Sequence, residues 1–331
     1  MTATVDDTPT SDLSATDQAD AAPDLTEIGA LRALLRRHGL AQPNKRLGQH
    51  LLISRKALAA VVDAAELTPD DNALEVGAGP GALTIELAKR AGRVAAIEMD
   101  RDILPVLAET TAPYLNIEII PRDLLTVDLG GVFGGAPYKF VANLPYYITA
   151  LILRRILEAR PRPTLLVVMT QREVAERMVA PPGEMGLLSL SVQFYGQPRI
   201  VAQVPASAFY PPPKVESAVV RIDIAPDPPL DEAGRDLLFS LAHAAFGGKR
   251  KQLHNSLTQN LRLAPEQVAG WLAASDIAAE RRAQTLSVED WLRLTRAALA
   301  DPPQPIAKIG ERTRVRREQP LRPSRSHAPT D

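Results

Sequence analysis

Apolar residues at positions 28, 31, 34 and 35 of LTEIGALRALLRRHGL recur at helical spacing, and Gly39 follows them; a short amphipathic helix is predicted there. A basic, loop-like stretch, PNKRLGQHLLIS, separates it from a second helix in RKALAAVVDAAEL. From Asn72 onward, short apolar runs alternate with helical patterns. NALEV, RVAAIEM, IEIIPRD, KFVAN and TLLVVMT read as strands, and GALTIELAKRA, DILPVLAETT, ALILRRILEAR and REVAERMVA as helices. That rhythm predicts a doubly wound parallel sheet. RIVAQV and SAVVRIDI add two strands, an edge hairpin-like pair around PASAFYPPPKVE. At APDPPLDEAG the composition shifts, and from there to about residue 300 every periodic stretch is helical. The pattern therefore predicts an α/β domain over 25–226 and a smaller all-helical domain over 227–300, with no internal repeat.

Composition refines this picture at the ends of the chain. Its 331 residues suffice for a large domain and a small one. The absence of cysteine excludes a disulfide framework and a thiolate metal site. No apolar run approaches the ~18 residues of a membrane span, and the N-terminus lacks a signal-peptide pattern, so a cytoplasmic protein is expected. Residues 1–24 carry six Asp and no Lys or Arg, whereas 302–331 carry seven Lys or Arg against three acids. Removing that −6 and +4 from the total of −1 leaves +1 between them. A near-neutral centre does not announce nucleic-acid binding, which must then rest on local patches. The tails, 1–24 acidic and 301–331 basic, are poor in large apolar residues and predicted to be disordered.

The chemistry concentrates at strand ends. In NALEVGAGPGALT, Glu75 lies on a strand and Gly77, Gly79 and Gly81 form a turn into a helix. Such glycines let the backbone approach a bulky ligand while the helix end offers free N–H groups. The spacing differs from the dinucleotide fingerprint G-x-G-x-x-G, and the preceding acid suits S-adenosylmethionine, which lacks phosphate and carries a sulfonium cation. A structural turn without a ligand is the alternative for a lone glycine loop. Glu98 ends the next strand, where a carboxylate can accept both ribose hydroxyls. Asp123 ends the third and is placed either to accept from the adenine amine or to cap a helix. Asn143 ends the fourth, in KFVANLPYYIT. The Asn143 side-chain oxygen and the Leu144 carbonyl can both accept from an NH₂ group, Pro145 fixes the backbone, and Tyr146 offers a stacking face. Two acceptors holding the hydrogens of an adenine amine would free its delocalised lone pair for attack.

NKRLGQHLL, LEVGAGPGALT, AIEMD, NLPYYIT, SAFYPPPKVESAVVR and AAFGGKRKQLHNSL occur in an order that resembles the bacterial small-subunit rRNA adenine dimethyltransferases, over roughly residues 27–300. The resemblance implies a Rossmann-like S-adenosylmethionine-dependent methyltransferase sheet with a helical RNA-binding C-terminal domain. It implies dimethylation of two adjacent adenosines in the 3′-terminal hairpin of 16S rRNA, late in 30S biogenesis, by a monomer without metal. Residue by residue, it implies that His50 and Leu52 line the cofactor site and that Gly77, Glu98, Asp123 and Asn143 contact the cofactor. Tyr146 and Phe209 would sandwich the flipped adenine. The family commonly has Asn-Phe-Leu after Gly-Gln, where this chain has His50-Leu51-Leu52; an imidazole can replace an amide as donor or acceptor. Lys45–Arg46, Arg154–Arg155 and Lys249–Arg250–Lys251 with His254 are candidate holds on the RNA backbone. The alternatives are a 23S rRNA adenine methylase, against which NLPYYIT and PPPKV argue, a non-catalytic assembly factor, and, more remotely, a nicotinamide oxidoreductase.

Overall fold

The computed structural model describes residues 23–41, 43, 49–145, 148–248 and 251–302. The tails beyond them, Lys45–Arg46, Tyr146–Tyr147 and Lys249–Arg250 lie outside the described residues. The chain divides between Pro229 and Leu230 into two compact units.

The first unit contains, in chain order, α1 (Ile28–Arg37), β1 (Leu51–Leu52), α2 (Arg55–Ala65), β2 (Asn72–Val76), α3 (Ala82–Ala88), β3 (Arg93–Ile97), α4 (Leu104–Thr111) and β4 (Ile117–Ile120). It continues with α5 (Leu129–Val132), β5 (Lys139–Asn143), α6 (Thr149–Leu157), β6 (Leu165–Gln171), α7 (Arg172–Met178), α8 (Leu187–Gln193), β7 (Gly196–Val204), β8 (Phe209–Tyr210) and β9 (Ser217–Ile224). Seven strands form one sheet in the order β4-β3-β2-β5-β6-β9-β7. The five from β2 to β6 run parallel, and β9 lies antiparallel to both β6 and β7. The two late strands thus pair with each other, but β9 is interior and only β7 is the edge. Phe140, Val141 and Ala142 of β5 are fully buried, as are Val94, Ala95 and Ala96 of β3. Helices covering both faces of a parallel sheet explain why these strands read as continuous apolar runs.

β2 connects onward to β3 on one side, whereas its other neighbour, β5, connects onward to β6 in the opposite direction. A crevice opens at such a switch point, at the carboxyl ends of the strands. Over it lies a small ribbon in which β1 and β8 pair antiparallel, Leu51 opposite Tyr210 and Leu52 opposite Phe209. Two residues a strand carry no readable alternation, so the basic stretch before α2 reads from sequence as loop alone. Leu31, Leu34 and Leu35 of α1 pack in one apolar cluster with Leu51 of the ribbon and with Ile103 and Val106. Arg32 adds a hydrogen bond to the Tyr210 hydroxyl (3.1 Å) and stacks over its ring.

The second unit contains α9 (Glu232–Phe246), α10 (Leu253–Leu261), α11 (Pro265–Ala274) and α12 (Val288–Ala300). Trp271, Trp291, Leu238 and Leu257 fill its core. Ser287 and Asp290 form a reciprocal capping box at the start of α12. Among the described residues no helix is long and apolar enough to cross a membrane.

Candidate active site

The crevice at the switch point is a cleft of about 1160 Å³, open mouth included. His50, Leu52, Gly77, Glu98, Asp123 and Asn143 all line it, together with Leu144. The glycine turn explains its floor. Gly77, Gly79 and Gly81 have φ of +74°, +55° and +94°, a region that glycine enters without steric cost. At Gly81 a Cβ would lie 3.0 Å from Thr110 Oγ1 and 3.1 Å from Leu107 Cδ1, so a bare backbone is what seats the start of α3 against α4. Gly77 faces the backbone carbonyl of Asn143, 3.9 Å from where a Cβ would stand. The turn after β2 and the corner after β5 are therefore the two lips of the cleft.

Glu98 is buried, and its two oxygens accept the Gly79 N–H (2.8 Å) and the Asp100 N–H (2.9 Å). Burial pushes its carboxyl upward, against the pull of those N–H groups. Each oxygen keeps a second lone pair, so the carboxylate both shapes the glycine turn and can accept a hydroxyl. Asp123 takes the capping role and keeps a place at the cleft. One oxygen caps a 3-10 turn by accepting the Leu125 N–H (3.0 Å), while the half-buried side chain still borders the cleft.

At the corner, Asn143 donates through Nδ2 to the His50 carbonyl (3.3 Å), which fixes the amide and turns Oδ1 away as an acceptor. The Leu144 N–H is held by the Met169 carbonyl (3.0 Å). Among the described residues neither Asn143 Oδ1 nor the Leu144 carbonyl takes a hydrogen bond. The His50 Nδ1 must donate to the Pro211 carbonyl (2.7 Å), which can only accept, so the ring is tied to the segment after β8.

Phe209 is not at the cleft. Pairing opposite Leu52 turns it inward, where it is 2% exposed in a core cluster with Leu52, Val204 and Ala208. The stacking face expected of it is therefore covered. Of the Arg154–Arg155 pair, Arg154 stays exposed and Arg155 is turned to the fold. Arg154 pairs with Glu158 (3.0 Å), and Arg155 donates to the Val127 carbonyl (2.9 Å), tying α6 to the loop that carries Asp123. In the second unit, Lys251 donates to Gln259 (2.6 Å) and His254 is bonded to the Pro265 carbonyl (3.0 Å).

Gln49, Met99 and Leu125 carry no signal in the motifs, whereas Glu75 is the acid before the glycines. Gln49 donates to Asp100 (2.8 Å), linking the segment before β1 to the Glu98 turn. Met99 and Leu125 border the cleft with 48% and 43% exposure, unusual for large apolar side chains. Their signal was positional: each follows an acid at a strand end by one or two residues. Glu75 is 2% exposed, borders the cleft, and its Oε2 has no hydrogen-bond partner among the described residues. Burial pushes this carboxyl up to about 8, opposed by the Thr84 hydroxyl and aided by repulsion from Glu98.

These features fit S-adenosylmethionine. An orphaned buried carboxyl suits a cationic ligand, the glycine turn admits bulk, and two exposed apolar side chains beside Glu98 and Asp123 suit the faces of a purine. Known proteins agree. A relative from Dehalococcoides mccartyi named ribosomal RNA small subunit methyltransferase A is 48% identical over 251 residues, 76% of this chain and 86% of its own. A solved dimethyladenosine transferase from Plasmodium falciparum superposes with a TM-score of 0.64 at 25% identity, covering 76% of this chain and 98% of that one. The 23S rRNA methyltransferase ErmE does so at 0.62 and 30% identity, over 75% of this chain and 98% of its own. The family model for ribosomal RNA adenine dimethylase matches residues 40–298. With that match spanning both units, the chain belongs to the ribosomal RNA adenine dimethylase family, whose members use S-adenosylmethionine.

Proposed function

We propose that this protein dimethylates the exocyclic amines of two adjacent adenosines in the 3′-terminal hairpin of 16S rRNA, acting as a cytoplasmic monomer on the maturing 30S subunit. Methylation of ribosomal RNA adenine follows from the family; the small subunit is favoured by the 48% identical relative over the 30% identical 23S enzyme. The observation that carries the chemistry is the corner after β5, where among the described residues neither Asn143 Oδ1 nor the Leu144 carbonyl takes a hydrogen bond.

When bound, S-adenosylmethionine supplies an electrophilic methyl group. Glu75, Glu98 and Asp123 are the residues we assign to hold it, with Met99 and Leu125 against the base. Asn143 Oδ1 and the Leu144 carbonyl accept the hydrogens of the target amine. An adenine amine is a poor nucleophile because its lone pair is delocalised into the ring. Two acceptors placed out of that conjugation favour a pyramidal nitrogen and aim the lone pair into the cleft. Positioning and water exclusion then carry most of the acceleration. The nitrogen becomes acidic once methylated and its proton passes to water, so no strong base is needed. Tyr146 is the ring we assign to stack on the flipped adenine, and Phe209 supports Leu52 from the core. The helical second unit is assigned to RNA contact.

Nucleoside mass spectrometry tests this on unmethylated 30S particles and on 23S rRNA, each incubated with protein and S-adenosylmethionine. Dimethyladenosine in the terminal 16S hairpin alone is expected. Product in 23S rRNA would transfer the assignment to that subunit, and binding to the particle without product would leave a non-catalytic assembly factor.

A further inference from the structure

The corner that presents the acceptors is itself held by a buried hydroxyl relay. Thr149, the first residue of α6, is 2% exposed and donates from Oγ1 to the Pro145 carbonyl (3.0 Å). Its oxygen lies 3.4 Å from Thr170 Oγ1, a fully buried group on β6. A hydroxyl has one hydrogen and a carbonyl can only accept, so with Thr149 donating to Pro145 its oxygen is left to accept from Thr170. The anchoring strand is rigid, because Thr170 sits on β6 between β5 and β9, with Met169 paired to Asn143 and Thr170 to Ala218.

The relay brackets one peptide group. On its near side, the Leu144 N–H is fixed to the Met169 carbonyl. On its far side, the Pro145 carbonyl is fixed by Thr149 and by the Ile148 N–H (3.3 Å). Proline's ring fixes one of the torsions between them. The Leu144 carbonyl therefore has little freedom, although among the described residues no hydrogen bond ends on its oxygen. We infer that Thr149 and Thr170 are positioning residues that set the direction of the Leu144 carbonyl acceptor for methyl transfer, a role that rests on the functional reading above. The second transfer should depend on it more than the first. A monomethylated amine retains a single N–H, so alignment then rests on one acceptor instead of two.

The test compares Thr149→Val, Thr149→Ser and Thr170→Val in the full chain. Turnover is followed on unmethylated 30S particles, affinity with S-adenosylhomocysteine, and backbone order by amide exchange at Leu144 and Ile148. For Thr149→Val we expect turnover to fall about tenfold or more. Monomethyladenosine should accumulate, with S-adenosylhomocysteine affinity and melting temperature near wild type. Serine keeps the hydroxyl and should restore turnover to within about twofold. Thr170→Val keeps the bond to Pro145 and should give a milder version of the same product shift, which serves if the first variant does not fold. Turnover within twofold of wild type in Thr149→Val, or a loss shared equally by affinity and melting temperature, would overturn the inference. The exchange arm stands apart from activity. If wild-type protein makes no methylated adenosine, the functional reading fails. In that case faster exchange at Leu144 and Ile148 in Thr149→Val would still support the relay, and unchanged exchange would refute it.

Discussion

Replacing Glu75 by glutamine should stabilise the first unit at neutral pH and weaken its hold on S-adenosylmethionine. The carboxyl titrates near 8 in the fold against an ordinary 4.5, because it is buried with one oxygen unpartnered. A group whose folded pKa is raised contributes fully below its ordinary pKa, and that contribution is lost as pH rises toward the folded value. Between about pH 4.5 and 8 the unfolded chain has released a proton that the fold retains, so wild-type stability should decline across that window. Glutamine has nearly the same shape and nothing to ionise. Its advantage over wild type should be on the order of 1 kcal/mol at pH 5 and on the order of 3 kcal/mol at pH 7. Both tryptophans, Trp271 and Trp291, lie in the second unit, so intrinsic fluorescence would follow the wrong half of the molecule. Hydrogen exchange of the β2 and β3 amides reads the relevant unit. A pH-independent difference below about 0.5 kcal/mol would mean that the carboxyl ionises normally in the fold, and the burial argument would be wrong. In the bound state the ranking reverses. A neutral amide cannot offer a charge to a cationic ligand, and the Kd for S-adenosylmethionine by calorimetry should rise about tenfold.

Asn143→Ala should lower methyl transfer by about 10²-fold or more while leaving particle binding intact; near-normal turnover in the mass-spectrometric assay would refute the acceptor role. Gly81→Ala forces a side chain into positive φ and against Thr110 and Leu107, so the melting temperature of the first unit should drop by roughly 5–15 °C. Arg155→Ala releases the loop that carries Asp123 and Leu125. Cofactor affinity should weaken, while the salt dependence of RNA binding, measured by filter binding, should keep its slope because this guanidinium is held by the Val127 carbonyl.

The central sheet was legible because its strands are buried on both faces, which leaves apolar runs such as Phe140–Ala142 that cannot be mistaken for surface segments. The glycine turn and the acids at strand ends were legible because backbone chemistry dictates them locally. What depended on distant partners was not. The β1–β8 ribbon has two residues a strand and pairs segments far apart, and no local period betrays it. α8 reads LLSLSVQ, where buried serine at 189 interrupts the apolar count, so the helix was missed. Phe209 looked like a stacking ring from its motif, yet pairing with Leu52 sends it into the core. Arg154 and Arg155 looked like a free basic pair because neither Glu158 nor the Val127 carbonyl announces its partner in sequence.

The ribbon also bears on the order of events during synthesis. His50 is tied to Pro211, 161 residues further along the chain. Translation delivers the amino-terminal part first, so glycine turn, acids and corner all leave the exit tunnel before the strand that braces β1 beside them. Closing so long a loop is slow compared with local helix formation. A nascent chain arrested short of β8 would carry four of the six family motifs and still lack the strand that braces His50 and β1. Retention of S-adenosylmethionine by chains of increasing length should therefore begin abruptly once residue 211 is free to fold back, making cofactor capture a late signal of completed folding rather than a seed for it.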